Sequence, residues 1–207
     1  MLQGLLLEPA EAQVTHLQKA KAAVPLAAHY AALDRCAREL PEAQARTITQ
    51  LAANLASRAH SDDDKARLLY AWLSYHVVYD VNFLRGGARP DCTPAGVLKN
   101  RSTVCQGYAE LFTAVAKRMR LPVRTVNGTG RTSIAGLLPE KAPNHAWNVY
   151  QANGHWHLVD ATWGAGGTGN AGQFVKGLTP FGLIPSRRSS SFRTFHRTAP
   201  GRCCLGR

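Results

Sequence analysis

Beyond Asp160 the chain has no acidic residue at all, while seven lysines and arginines, from Lys176 to Arg207, follow it. Of the formal net charge of +12, seven units therefore belong to this last stretch, and the preceding body carries only +5, an ordinary value. A whole-molecule basic surface of the kind that binds nucleic acid is thereby excluded, and the charge becomes a question about the tail. Long apolar runs are absent too. Nothing approaches the ~18 consecutive apolar residues of a spanning helix, since Leu5 to Leu7 is cut off by Glu8. The first ten residues also lack the basic segment and apolar stretch of a secretory signal. The expectation is a soluble, cytoplasmic protein with no membrane insertion, export remaining open only if the start is mis-assigned. Cysteine is scarce and unpatterned: Cys36, Cys92, Cys105, Cys203 and Cys204 are odd in number and contain no C-x-x-C pair. Neither a disulfide framework nor a structural zinc site follows from them.

The 207 residues, 45% of them hydrophobic, suffice for one core, on the usual scale of about 100 to 200 residues per domain. Residues 8–59 are rich in the helix formers Ala, Leu, Gln, Glu and Arg, and Pro25 and Pro41 divide them into roughly three helical pieces. Ser61 followed by three aspartates offers a cap for a helix over 62–79, with Leu69, Trp72, Leu73, His76 and Val77 at helical spacing. Thr93 and Pro94 can open a short helix to about 98. Cys105 then opens a buried helix whose apolar positions are Tyr108, Leu111, Phe112, Val115 and Met119. Strands are expected over 122–127, 145–151 and 155–162, the last two joined at Asn153-Gly154. The segment 128–144 reads as a loop over the site. The organisation is α+β: a helical extension over 1–60, a main domain over 61–180 and a basic tail over 181–207.

With a two-residue turn at Asn153-Gly154, Val149 falls opposite Leu158, Trp147 opposite Asp160 and His145 opposite Thr162. His145 and Asp160 are then diagonal cross-strand neighbours, with Cα atoms about 7 to 8 Å apart. Trp147, Val149, Leu158 and Trp156 share their face, which is expected to pack on the helix that starts at Cys105. A cysteine attacks as thiolate, and a helix N-terminus beside an imidazolium favours that form. The imidazole can afterwards hand a proton to a leaving amine, with a carboxylate orienting the ring. Cys105 as nucleophile, His145 as acid/base and Asp160 as orienting group fit those roles. N–H groups of the first helical turn, including that of Cys105, can stabilise an oxyanion.

Three segments, 104–112 (VCQGYAELF), 145–149 (HAWNV) and 156–164 (WHLVDATWG), resemble in wording, order and spacing the catalytic blocks of the transglutaminase-like superfamily. Their wording is most similar to the microbial and kyphoscoliosis-peptidase-type branch, in which a helix ending in Tyr-Asp, here Tyr79-Asp80, precedes the cysteine block. The likeness covers about 61–167. It implies a papain-like fold with N-terminal helices packed on a small antiparallel sheet, and acyl transfer on protein or peptide carboxamides through a thioester. Those catalytic roles would fall on Cys105, His145 and Asp160, with hydrolysis slightly favoured over crosslinking to amines. The resemblance implies no cofactor. A peptide-binding module that has lost activity is the alternative, and a nucleic-acid binder using the tail is the weakest reading.

Blander roles compete for several residues. Trp147, Trp156 and Trp163 are expected in the core, as aromatics on a hairpin usually are. His155 and His157 alternate on a strand, but two histidines without a nearby carboxylate or thiol make a poor metal site. Cys36 and Cys92 have no partner that spacing suggests. After Phe181 the periodicity ends and the composition turns to Arg, Ser, Pro, Gly and Cys. A basic disordered arm for an anionic partner and a shifted reading frame both explain this, and the second is favoured: relatives continue past the Asp block with an acidic, aromatic stretch, and suitable synonymous codons read from the third position from Phe181 onward restore one.

Overall fold

The computed structural model describes residues 26–130, 143–169, 172–179 and 183–184. The described residues begin in a helix, α1, over 26–38. A 3-10 turn at Glu42–Gln44 and helices α2 (Ile48–Ala56) and α3 (Asp62–His76) follow. Local chemistry sets the starts of the latter two. Thr47 Oγ1 accepts from Gln50 N and Ser61 Oγ from Asp64 N, both at 3.1 Å, which satisfies amides that the helix itself leaves unpaired. Helix α3 is the central element, with every residue from Ala66 to Ser74 buried. Its expected end at 79 comes three residues early. The β-branched pair Val77-Val78 turns extended, and β1 (Val78–Tyr79) pairs in parallel with β2 (Ser102–Thr103).

Between these two strands lie the short helix α4 (Val81–Leu84) and α5 (Pro94–Asn100), the latter capped by Thr93 as expected. Helix α6 (Cys105–Arg118) then runs through the core beside α3 and α2. Its first turn sits directly on β2: a Cβ on Gly107 would lie 2.0 Å from Thr103 Oγ1. Only glycine allows that approach.

The main sheet has the order β3-β4-β5-β8 and is antiparallel throughout. Its strands are β3 (Val123–Gly128), β4 (His145–Ala152), β5 (His155–Val159) and β8 (Leu183–Ile184). The hairpin register is the expected one, with Ala152 opposite His155 and Val149 opposite Leu158. Asn153 and Gly154 both have positive φ, 52° and 77°, the conformation a two-residue type I′ turn requires. Strand β5 stops at Val159, however, so Asp160 and Thr162 leave the sheet before the expected pairing reaches them.

The packing face is the opposite of the expected one. Ala146, Asn148, Tyr150 and Ala152 are buried, whereas Trp147, Val149 and Gln151 are partly exposed and Trp156 is 41% exposed. Asn148 makes the buried face possible despite its polarity, because its Nδ2 donates to Ala109 O (3.1 Å) and Thr113 Oγ1 (2.9 Å) on α6. Tyr150 reaches across to Asp63 Oδ1 at the start of α3 (3.0 Å). Leu33, Ala37, Leu40, Leu51 and Leu55, from the N-terminal segment, join the same core cluster as α3, α6 and the sheet. Beyond residue 169, the described strands are β7 (Phe174–Lys176), paired with β6 (Gly166–Thr168), and β8. The expectations for residues 1–25 and for the tail from 185 lie outside the described residues.

Gly107→Ala is expected to push α6 off β2 and to cost about 1 to 3 kcal/mol. Urea unfolding would register this as a lower midpoint, and an unchanged midpoint would contradict the tight seat.

Candidate active site

Cys105 is the first residue of α6, 2% exposed, and its N-cap neighbour Val104 supplies no side-chain cap. The positive end of the helix dipole is thus directed at the thiol. His145 is the first residue of β4, and its terminal position lets the imidazole lie against the start of α6 rather than over the sheet. Asp160 is the residue at which the chain leaves β5 and enters the short helix α7 (Ala161–Gly164). The structure brings all three side chains together.

The carboxylate of Asp160 divides its oxygens between two tasks. Oδ1 accepts from the backbone amides of Thr162 (3.0 Å) and Trp163 (3.1 Å), while Oδ2 lies 2.6 Å from His145 Nε2. The helix cap therefore fixes the carboxylate that orients the histidine. Sequence reasoning missed this role, although an aspartate closing an apolar run and followed by Ala-Thr-Trp is a recognisable N-cap signal. With Nε2 committed to Asp160, Nδ1 is left to face the sulfur of Cys105, whose side chain also hydrogen bonds the ring. His145 and Asp160 are 5% and 3% exposed.

Burial by itself would push the His145 pKa down, since it penalises the charged ring. The hydrogen bonds to Asp160 and Cys105, with the negative charge each can carry, outweigh it and raise the pKa from 6.5 to about 10. The resulting picture is an imidazolium held between a carboxylate and a sulfur. Trp163 and Trp147 stack on this ring, at centroid distances of 5.0 and 5.7 Å. The expectation that all three hairpin-region tryptophans are core residues is corrected here: Trp163 is 44% exposed beside His145, and Trp156 lies on the open face under Arg124.

Asn144 Oδ1 accepts from Gly130 N (2.7 Å), and Asn144 N donates to Gly128 O (3.0 Å). These bonds tie together the two ends of the segment expected to form a loop over the site, whose interior, 131–142, lies outside the described residues. Among the described residues, Cys36 and Cys105 form no disulfide. His157 stacks on Tyr150 at 5.1 Å rather than joining His155.

Residues 49–161, more than half of the chain and spanning all three site residues, match the family model of the transglutaminase-like superfamily core. The chain belongs to the transglutaminase-like superfamily. Its α+β arrangement, a cysteine-bearing helix packed on a small antiparallel sheet, is the papain-like core of that family. Similar proteins include the kyphoscoliosis peptidases of Mus musculus and Homo sapiens, 34% and 32% identical over 127 residues. Each match covers 58% of this chain and 18% of the relative, so the chain spans less than a fifth of those proteins. Among solved structures, a proposed cysteine protease from Cytophaga hutchinsonii is 20% identical with a TM-score of 0.46, over 66% of this chain and 39% of that one. A structure described as a TGase is likewise 20% identical, with a TM-score of 0.41 over 70% and 35%.

Because the folded transglutaminase-like core holds the His145 proton more tightly than an unfolded chain, the stabilisation it brings is complete below about pH 6.5 and is lost as pH rises through about 10. Urea unfolding of wild type and His145→Gln across that window should show their stability difference shrinking. A difference that stays constant would contradict the assigned shift.

Proposed function

We propose that this domain is a cysteine-dependent acyl-transfer enzyme acting on protein or peptide carboxamides, with Cys105, His145 and Asp160 as its catalytic residues. The observation that carries this reading is the sharing of one buried imidazole between the carboxylate of Asp160 and the thiol of Cys105. In the resting pair the sulfur has given its proton to His145. The thiolate attacks the carbonyl carbon, and the oxyanion that forms faces the amino end of α6. His145 then passes its proton to the leaving nitrogen, the C–N bond breaks, and a thioester on Cys105 remains. The neutral imidazole next takes a proton from water, whose oxygen attacks the thioester. Collapse releases the acid and restores the thiolate-imidazolium pair.

An amine in place of that water would give crosslinking by the same steps. Water is the favoured acceptor, a preference supported by the peptidase names of the relatives above. Asp160 holds the ring in the tautomer and orientation that both proton transfers require.

Alkylation of Cys105 by iodoacetamide, followed against pH, tests the pair. The rate should titrate well below the ordinary thiol value of ~8.5 in wild type and return toward it in His145→Ala. An ordinary thiol in both proteins would favour a peptide-binding module without activity. On an unfolded protein substrate, Cys105→Ala should abolish turnover and Asp160→Asn should lower it by roughly 10²- to 10⁴-fold. Peptide release without incorporation of a fluorescent amine would support water as acceptor, and incorporation without release would overturn that choice.

A further inference from the structure

Cys105 and Asp160 are each placed by the start of a helix, whereas His145 is the first residue of β4, with no earlier strand residue to hold it. What lies against it is a neck of chain made by residues 128–130 and 143–144. Gly128 is the register partner of His145, and Gly130 is buried. A Cβ on Gly130 would stand 3.0, 3.2 and 3.3 Å from His145 Cβ, Cγ and Cδ2, and one on Gly128 would stand 2.5 Å from Trp147 Cη2. Both glycines therefore let bare backbone lie on side chains, Gly130 on His145 and Gly128 on the indole that stacks with it at 5.7 Å. Cδ2 is the ring carbon bonded to Nε2, so the edge that Gly130 covers adjoins the nitrogen facing Asp160.

A backbone ladder alone does not hold this neck. Continuing the Gly128–His145 register by two residues sets Gly130 opposite Pro143, and proline has no N–H to give to a facing carbonyl. The side chain of Asn144 takes over. Its Oδ1 accepts from Gly130 N at 2.7 Å and its Nδ2 approaches Gly130 O at 3.5 Å, while its own backbone N donates to Gly128 O at 3.0 Å. One residue thus grips both glycines, and it supplies the acceptor that the amide of a buried residue needs.

We propose that Asn144 is a positioning residue: by clamping the glycine neck on His145 it keeps the imidazole in one orientation and keeps water off the hydrogen bond from Nε2 to Asp160 Oδ2. It touches no reacting atom and acts only through His145. Released from the neck, the ring gains rotation about its Cα–Cβ and Cβ–Cγ bonds, while Asp160 stays fixed by its own two amides. A ring turned away from that carboxylate is a poorer proton carrier. The expected effect on turnover rests on the reading of His145 as acid/base, but the clamp on the ring does not.

The test is the exchange of the His145 Nε2 proton with water, followed by nitrogen-15 NMR on the full chain, with the buried indole N–H of Trp72 as internal reference. Asn144→Leu, which keeps the bulk of the side chain but has no acceptor, should speed the His145 exchange by about tenfold or more and leave Trp72 unchanged. Asn144→Asp, which retains the acceptor for Gly130 N, should keep it slow. Gly130→Ala, whose methyl presses on His145 with Asn144 intact, should speed it as well. With substrate, Asn144→Leu should lower kcat and leave KM nearly unchanged. A His145 proton that exchanges as fast in wild type as in Asn144→Leu would overturn the proposal. So would acceleration of Trp72 by the same factor, because Asn144 would then act on global stability alone. Slow exchange in wild type that is lost in Asn144→Leu supports the clamp even where turnover is absent, a result that would count against the proposed reaction only.

Discussion

The seating of α6 against β4 is the constraint from which the chemistry of this domain follows. Asn148, three residues along β4 from His145, donates to the carbonyl of Ala109, one turn along α6 from Cys105, and to the hydroxyl of Thr113. Thr113 is in turn bonded to Thr125 on β3 at 2.8 Å. The helix that carries the sulfur and the strand that carries the imidazole are thus joined by buried polar bonds next to both reactive groups. From the other side, the β1–β2 pairing and the Tyr108 hydroxyl on Val77 O (2.9 Å) fix the start of the same helix. Reactive atoms borne on rigid, cross-tied elements keep their spacing better than atoms on loops.

Given that geometry, electrostatics determines the state of the site. A buried imidazole would ordinarily be neutral, and His145 is protonated only because two acceptors converge on it. One of them is itself held by a helix: the two α7 amides on Asp160 Oδ1 leave Oδ2 directed at the ring. Cys105 begins a helix and Asp160 caps one, so each acidic group of the site sits at the amino end of a helix, where negative charge is favoured.

Much of this was legible in the residues. The hairpin register followed from Asn153-Gly154, the helix starts from Ser61, Thr93 and Cys105, and the three site residues from the chemistry their neighbours imply. The packing face was not legible, because β4 alternates weakly. Its buried side consists of Ala146, Asn148, Tyr150 and Ala152, two of them small and one a full amide, while its outer side carries the larger Trp147 and Val149. Size and hydropathy therefore pointed outward, and only the partners that α6 offers Asn148 reveal the inward side. Strand β5 ends earlier than its sequence suggests because Asp160 closes the apolar run and can satisfy two amides by starting a helix there, and the cap wins over a further ladder pair.

The most direct measurement is the nitrogen-15 titration of the His145 ring by NMR. If Asp160 and Cys105 hold it as an imidazolium, both ring nitrogens stay protonated through neutral pH and the transition lies near 10. A ring that loses its proton near the ordinary 6.5, with Asp160 and Cys105 intact, would contradict the coupled site.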